Sequence, residues 1–365
     1  MGINIEILST LIIISISCSL LGVFLVLKEM SMMTNGITHI VLLGIVLGFL
    51  ITNDLSSPFL IIGASLMGII TVYMVNLLSE TKLMKEDAAI GVITSFFFST
   101  AIILITRFAD NTNLSIDSVL MGEIIFVPLN RMVLLGKSIP QNLFVSSVIL
   151  LLNISVIFIF YKELKLSTFD KLLAIGFGFS PIILNYIFTT LVSITIVGSF
   201  ECVGAILIIS FMVGPAISAY LLFDRLDLMI VASILIGIIS SILGFLISTY
   251  FDLSISGTIA STMGLIFLIT LFFSPKKGIL KNIIDKNNIK LTYLIISMLI
   301  YLYNKSKNQN NKNTNLEQLS DSLNWDMKIL SKIIKITKDK EYIVINKEKI
   351  AITDNGIKYL KEYFS

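Results

Sequence analysis

The stretches from Ile182 to Phe200 and from Leu228 to Tyr250 contain no charged residue. A helix needs about 20 consecutive apolar residues to cross the hydrocarbon core of a bilayer. Comparable runs lie near 7–27, 37–52, 58–79, 88–106, 143–161, 182–198, 203–223, 228–250 and 253–273. Each is apolar on every side, which excludes a membrane β-barrel, whose strands alternate polar and apolar over about ten residues. Helices satisfy their own backbone in lipid. The expected fold is therefore an all-α polytopic membrane bundle of about nine transmembrane helices. The composition agrees, because only 14% of the 365 residues are charged, against about 25% in an ordinary soluble chain.

The charges divide the chain. Residues 1–280 hold 12 Lys and Arg against 15 Asp and Glu, while residues 281–365 hold 15 against 9. We therefore expect a transmembrane domain over 1–280 and a basic domain over 281–365. Lys28, Lys82 with Lys85, Lys162 with Lys165 and Lys171, Arg225, and Lys276 with Lys277 fall on one side if every segment spans. That side should face the cytoplasm of a bacterial inner membrane, with the C-terminal domain in it. The gap 107–141 would place Arg107, Arg131 and Lys137 outside, in a loop with an amphipathic stretch Leu120–Leu129 and the acids Asp110, Asp117 and Glu123. The start of the chain lacks the basic region and cleavage site of a signal peptide, so the first run is expected to remain. Cys18 and Cys202 sit apart in apolar surroundings and read as small core residues.

Few residues can carry chemistry. His39 is the only histidine, four residues after Asn35, so the two share a helix face. An imidazole suits a divalent transition metal and a carboxamide oxygen is a weaker hard donor; such a histidine can equally be satisfied by a neighbouring helix. Glu201 is the only charge between Ile182 and Phe223, and either draws in a cation or caps the helix that follows. The second segment, with Gly36, Gly44 and Gly48, and the seventh, with Gly204 and the pair Gly214-Pro215, are expected to be irregular, as helices lining a path are. Leu135-Gly-Lys-Ser138 lacks the earlier glycine of a phosphate-binding loop, so the chain is not expected to bind ATP. Between segments five and six, Phe169, Asp170, Leu172, Leu173 and Gly176 belong to a short helix pattern that could dock a soluble partner or lie in membrane lipid.

These residues resemble the permeases of ATP-binding-cassette importers for manganese, zinc and iron, over roughly 5–278. The resemblance is carried by Leu27-Lys-Glu-Met-Ser-Met-Met-Thr-Asn-Gly-Ile-Thr-His39, Asp87-Ala-Ala-Ile-Gly91, Tyr161–Asp170, Val203-Gly-Ala-Ile-Leu207, Gly214–Leu222 with Asp224-Arg225, and Phe273–Gly278. It implies a permease that carries a divalent metal ion as cargo, with no permanently bound cofactor. Its expected partners are a separate ATPase subunit at the 162–178 helix, a second permease in a homodimer or heterodimer, and a metal-binding lipoprotein or periplasmic protein. It also implies that an aspartate and a histidine of the second-segment motif meet the ion. His39 matches, but Asn35 stands where the family has the aspartate, which removes a formal charge from a hard-cation site. Another residue then supplies the carboxylate, or this subunit is the less active half of a heterodimer. One imidazole plus oxygen donors suits Mn, Fe or Zn, with a lean towards manganese.

The tail reads as a small α+β domain. The 13 apolar residues 291–303 are too few to span and suit a core helix. Helix patterns at 315–323 and 326–339, strands at 342–346 and 350–353, and a helix at 355–364 make a winged helix. The tail resembles DtxR-type repressors through Ile352-Thr-Asp-Asn-Gly356. Lys328, Lys332, Lys335 and Lys338 could meet phosphates, but without Arg or His for base reading a protein-contacting or regulatory wing is favoured over nucleic acid binding. Alternatives for the whole chain are a membrane-tethered metal-responsive regulator and a permease for a larger metal chelate.

Overall fold

The computed structural model describes residues 2–52, 59–81, 84, 86–108, 124, 127–134, 137–275, 277–308, 314–346 and 349–364. The chain divides into two compact units, Met1–Gly278 and Ile279–Ser365.

The first unit contains α1 (Gly2–Leu27), α2 (Ser31–Thr52), α3 (Phe59–Glu80), α4 (Glu86–Phe108), the hairpin β1 (Arg131–Leu134) and β2 (Lys137–Pro140), α5 (Gln141–Ile159), α6 (Tyr161–Phe169), α7 (Lys171–Gly176), α8 (Pro181–Leu222), α9 (Leu226–Phe251) and α10 (Ile255–Phe273). Among the described residues nine segments are long and apolar enough to cross a membrane, two of them inside α8. Helix α8 is the axis: it packs against α1, α2, α3, α5, α9 and α10. The core between α1 and α8 is filled by Leu11, Ile14, Leu21, Phe24, Phe188 and Phe211. Phe158, Tyr250 and Ile51 point outward, as side chains do when the solvent is lipid. Cys18 and Cys202 are buried and form no disulfide.

Lipid gives no hydrophobic push between helices, so small residues and hydrogen bonds decide their packing. The largest such seam joins α2 to α3. Gly44 and Gly48 lie one turn apart on α2, and a Cβ on Gly44 would come 2.6 Å from the Ala64 nitrogen while one on Gly48 would come 2.8 Å from the Phe59 carbonyl oxygen. Only glycine permits that approach. Asn153 of α5 is fully buried and donates to Ser17 Oγ of α1 at 2.5 Å and to Thr195 Oγ1 of α8 at 2.9 Å, tying three helices together.

The expected irregularities are redistributed. α2 is one continuous helix from Ser31, so Asn35 and His39 lie inside it, and its glycines serve packing instead of a break. α8 departs from helical geometry only at Gly204, with φ 75° and ψ 169°, in the left-handed half of backbone space that glycine enters without a Cβ penalty. The Val203 carbonyl beside this break accepts from Ser256 Oγ of α10 at 3.3 Å. Pro215 leaves the Phe211 carbonyl without its helical donor, and Ser19 Oγ of α1 supplies one at 3.4 Å. That substitution keeps the helix running through Gly214-Pro215, where a break was expected. Of the Leu120–Leu129 stretch, Ile124 and Val127 are buried; Asp110, Asp117 and Glu123 lie outside the described residues.

The second unit contains α11 (Ile279–Asn308), β3 (Thr314–Asn315), α12 (Leu316–Leu323), α13 (Met327–Asp339), β4 (Ile343–Asn346), β5 (Lys349–Ile352) and α14 (Asp354–Phe364). Its antiparallel sheet has the order β3-β5-β4. Ile295, Ile296, Met298, Leu299 and Leu302 of α11 pack with Leu319, Leu330, Ile333, Ile343 and Ile350 in one apolar core. Burying side chains of this kind contributes about 1.5–3 kcal/mol each. The 291–303 run is thus part of a longer helix, and it ends in a core.

Candidate metal centre

His39 lies eight residues into α2, so at about 1.5 Å per residue it sits roughly 12 Å from that helix's start. It is half-buried, and its Nδ1 is enclosed with no hydrogen-bond partner. The imidazole meets the Phe98 ring of α4 edge-on, with centroids 5.2 Å apart and planes at 63°. An enclosed polar atom without a partner costs about 1–3 kcal/mol, so such an atom calls for a partner. Asn35, one turn earlier on the same face, is exposed on the surface of the bundle, while its backbone carbonyl accepts from Thr38 Oγ1 at 2.8 Å. Thr34 Oγ1 contacts Met212 Sδ at 3.7 Å and ties this part of α2 to α8.

Thr94 brings a second enclosed polar atom to this seam, one that sequence reasoning missed. A Cβ on Gly36 would come 2.9 Å from Thr94 Oγ1, so the α4 hydroxyl lies against α2 one turn before His39. Like His39 Nδ1, Thr94 Oγ1 is enclosed without a partner. Only the conjunction of Gly36 with a threonine across the seam marks it, and no local pattern shows that. Glu201 lies in α8 three residues before Gly204, where two helical segments meet; its side chain is outside the described residues. Among the described residues no three His, Cys, Asp or Glu side chains come together.

The two ends of the bundle carry different chemistry. At the start of α1, Glu6 receives both carboxylate hydrogen bonds from Arg131 of β1, at 2.8 and 2.9 Å. At the opposite end, Lys28 after α1 donates to Asn185 Oδ1 at 3.4 Å and lies 5.0 Å from the Phe188 ring centroid. Burial, and secondarily the charge of Lys171, pushes its ammonium down to about 8. Nearby, the Tyr161 hydroxyl donates to Asp227; burial and that carboxylate push the phenol up to about 12. Lys277 lies 3.4 Å from Asp224 and 3.8 Å from the Tyr220 centroid, fastening the chain after α10 to the end of α8.

The expected docking helix is two helices. Asp170 is extended, with φ −146° and ψ 97°, which separates α6 from α7, and its carboxylate accepts the Leu173 N–H at 2.9 Å as the cap of α7. Phe169, Leu172, Leu173 and Ile175 are exposed, Leu172 at 82%. Gly176 ends α7, and nothing lies within 4 Å of where its Cβ would be.

Nine membrane-capable segments among the described residues, with polar groups buried between them, define a polytopic membrane protein. Residues 5–274 match the ABC 3 transport family, and the chain belongs to it. It is 38% identical to the manganese transport system membrane protein MntD of Bacillus subtilis over 275 residues, 75% of this chain and 93% of that one. It is 36% identical to the zinc transport system membrane protein TroD of Treponema pallidum over 297 residues, 81% of each. The fold matches the solved PsaBC from Streptococcus pneumoniae in complex with Fab, with TM-score 0.62 and 30% identity over 74% of this chain and 92% of that one.

Proposed function

We propose that this chain is the permease subunit of an ATP-driven importer that carries a divalent transition metal ion, Mn, Zn or Fe, past His39 into the cytoplasm. The observation that carries the reading is the enclosed, unpartnered His39 Nδ1 in a chain of this family. An imidazole and neutral oxygens bind a divalent ion weakly enough to let it go, which conduction requires. A separate ATPase drives the exchange between outward-facing and inward-facing states by binding one of them better. Its contact is α6–α7, where Phe169, Leu172 and Leu173 offer apolar surface that Asp170 holds in place.

The exposed amide of Asn35 is poorly placed against lipid. A second permease, identical or related, covers that face and completes the ligand set. A metal-binding lipoprotein or periplasmic protein delivers the ion at the Glu6–Arg131 end. This orientation puts Lys28, Lys171, Arg225 and Lys277 on the cytoplasmic side of a bacterial inner membrane, with residues 281–365 following them there. The sheet order β3-β5-β4 with α11, α12 and α13 supports a winged helix in that tail, one that contacts protein rather than reading DNA.

The test is uptake of radiolabelled manganese, zinc and iron by cells expressing the complete transporter, wild type against His39→Ala at matched membrane abundance. Loss of uptake for a metal puts His39 on its path and names the cargo. Unchanged uptake of all three refutes the site.

A further inference from the structure

We infer that Thr94 is a second donor to the ion beside His39 and sets the preference of this permease for manganese over zinc; the inference rests on the His39 reading. The first observation is the register of the α2–α4 seam. Gly36 faces Ile90 and Thr94, and His39 faces Phe98, so the two helices run side by side with the hydroxyl and the imidazole on the shared face. Gly36 is what lets the hydroxyl reach α2, since a Cβ there would be 2.9 Å from Thr94 Oγ1.

The second observation is what the Thr94 hydroxyl does not do. A threonine in an apolar helix ordinarily returns its hydroxyl to the carbonyl three or four residues earlier. Thr71 does so to Met67 at 2.7 Å, Thr100 to Phe96 at 2.8 Å and Thr195 to Leu191 at 2.9 Å. Thr94 Oγ1 makes no such bond and is enclosed without a partner. Two enclosed polar atoms without partners, one on each helix, therefore lie on the shared face of the α2–α4 seam, and on this inference a cation there takes both as donors.

The donor chemistry then decides selectivity. Hydroxyl oxygen is a neutral hard donor of the kind manganese accepts, whereas an imidazole alone suits zinc as well. With Asn35 in the place of a carboxylate, the Thr94 oxygen is the hard donor that this chain supplies within the seam.

The experiment compares Thr94→Val, Thr94→Ser and Thr94→Asp with wild type and His39→Ala, at matched abundance and melting temperature. It reads zinc competition against radiolabelled manganese uptake in the complete transporter, and loss of the free manganese EPR signal on adding the purified full-length chain. The expected result is that Thr94→Val becomes about tenfold more sensitive to zinc, a change of about 1.4 kcal/mol in relative affinity. Thr94→Ser stays near wild type, and Thr94→Asp binds manganese more tightly in the EPR measurement. Thr94→Val with unchanged zinc sensitivity overturns the inference, and so does Thr94→Ser failing as badly as Val, which would mean packing and not the hydroxyl. If His39→Ala abolishes uptake in the same series, the permease reading survives that failure; if neither variant changes anything, both fall.

Discussion

Replacing Gly44 by valine should open the α2–α3 seam. The Cβ would lie 2.5 Å from the Gly63 carbonyl oxygen and 2.6 Å from the Ala64 nitrogen, both backbone atoms that cannot swing aside. Carbon in ordinary contact stands about 3.5 Å off, so the helices must part by roughly 1 Å, and valine adds two methyl groups beyond that. Overpacking of this kind costs about 1–3 kcal/mol, a factor of roughly 5 to 150 in an unfolding equilibrium. The assay is thermal unfolding of the purified chain in detergent, with Gly264→Ala as control. No heavy atom lies within 4 Å of a Cβ on Gly264, and alanine there should stabilise by about 0.4–1 kcal/mol through the unfolded chain. Gly44→Val melting with wild type, or Gly264→Ala losing as much as Gly44→Val, would refute the claim that backbone contact sets this seam. Because α2 carries Asn35 and His39, the same substitution should lower metal uptake further than the loss of folded protein explains.

Lys28 titrates near 8 in the fold against 10.5 for a free lysine, so between those values the unfolded chain binds the extra proton and stability rises with pH. The rise should vanish in Lys28→Met, so the wild-type minus variant difference in melting should grow as pH is raised from 7 to 11; a flat difference would refute the assignment. Asn153→Leu removes the donor shared by Ser17 and Thr195. Thr195 keeps its bond to the Leu191 carbonyl, so the loss falls mainly on Ser17 and should be about 0.6–1.7 kcal/mol; unchanged melting would show the network to be idle. Leu172→Asp changes a side chain 82% exposed and should melt like wild type yet fail to copurify the ATPase subunit. Full copurification would move that contact elsewhere.

The parts legible in the sequence are those that lipid dictates locally. A backbone with no water must close its hydrogen bonds within about 20 apolar residues, so the nine runs and their spacing could be read directly. The polar side chains of His39 and Asn35 stand out against such a background for the same reason, whatever their role. What could not be read is what neighbouring helices do to one another. Gly204 and Gly214-Pro215 carry equal weight as breakers in the sequence, yet the chain departs from a helix only at Gly204, because Ser19 reaches the Phe211 carbonyl that Pro215 frees. Thr94 is one threonine among several in apolar helices, and the approach of its hydroxyl to α2 depends on Gly36 lying opposite. Asp170 likewise splits a continuous helical pattern by capping its second half.

On the proposed reading of the site, the same contrast gives the missing carboxylate a use. A formal charge at position 35 would bind a divalent ion tightly, but it would also have to be neutralised whenever the ion has left. Thr94 and His39 at the proposed site, and Asn35 on the exposed face of α2, are all neutral when the imidazole is unprotonated, so the proposed site stands empty without an unpaired charge in lipid, where such a charge costs at least about 2.5–3.5 kcal/mol. The absence of the charge lowers the affinity and also the barrier to release, which is the balance a conducting site needs. Asn35→Asp should therefore raise manganese affinity in the purified chain while slowing turnover in cells. Faster uptake together with tighter binding would show that capture, not release, limits the wild-type cycle, and would overturn this account of the neutral site.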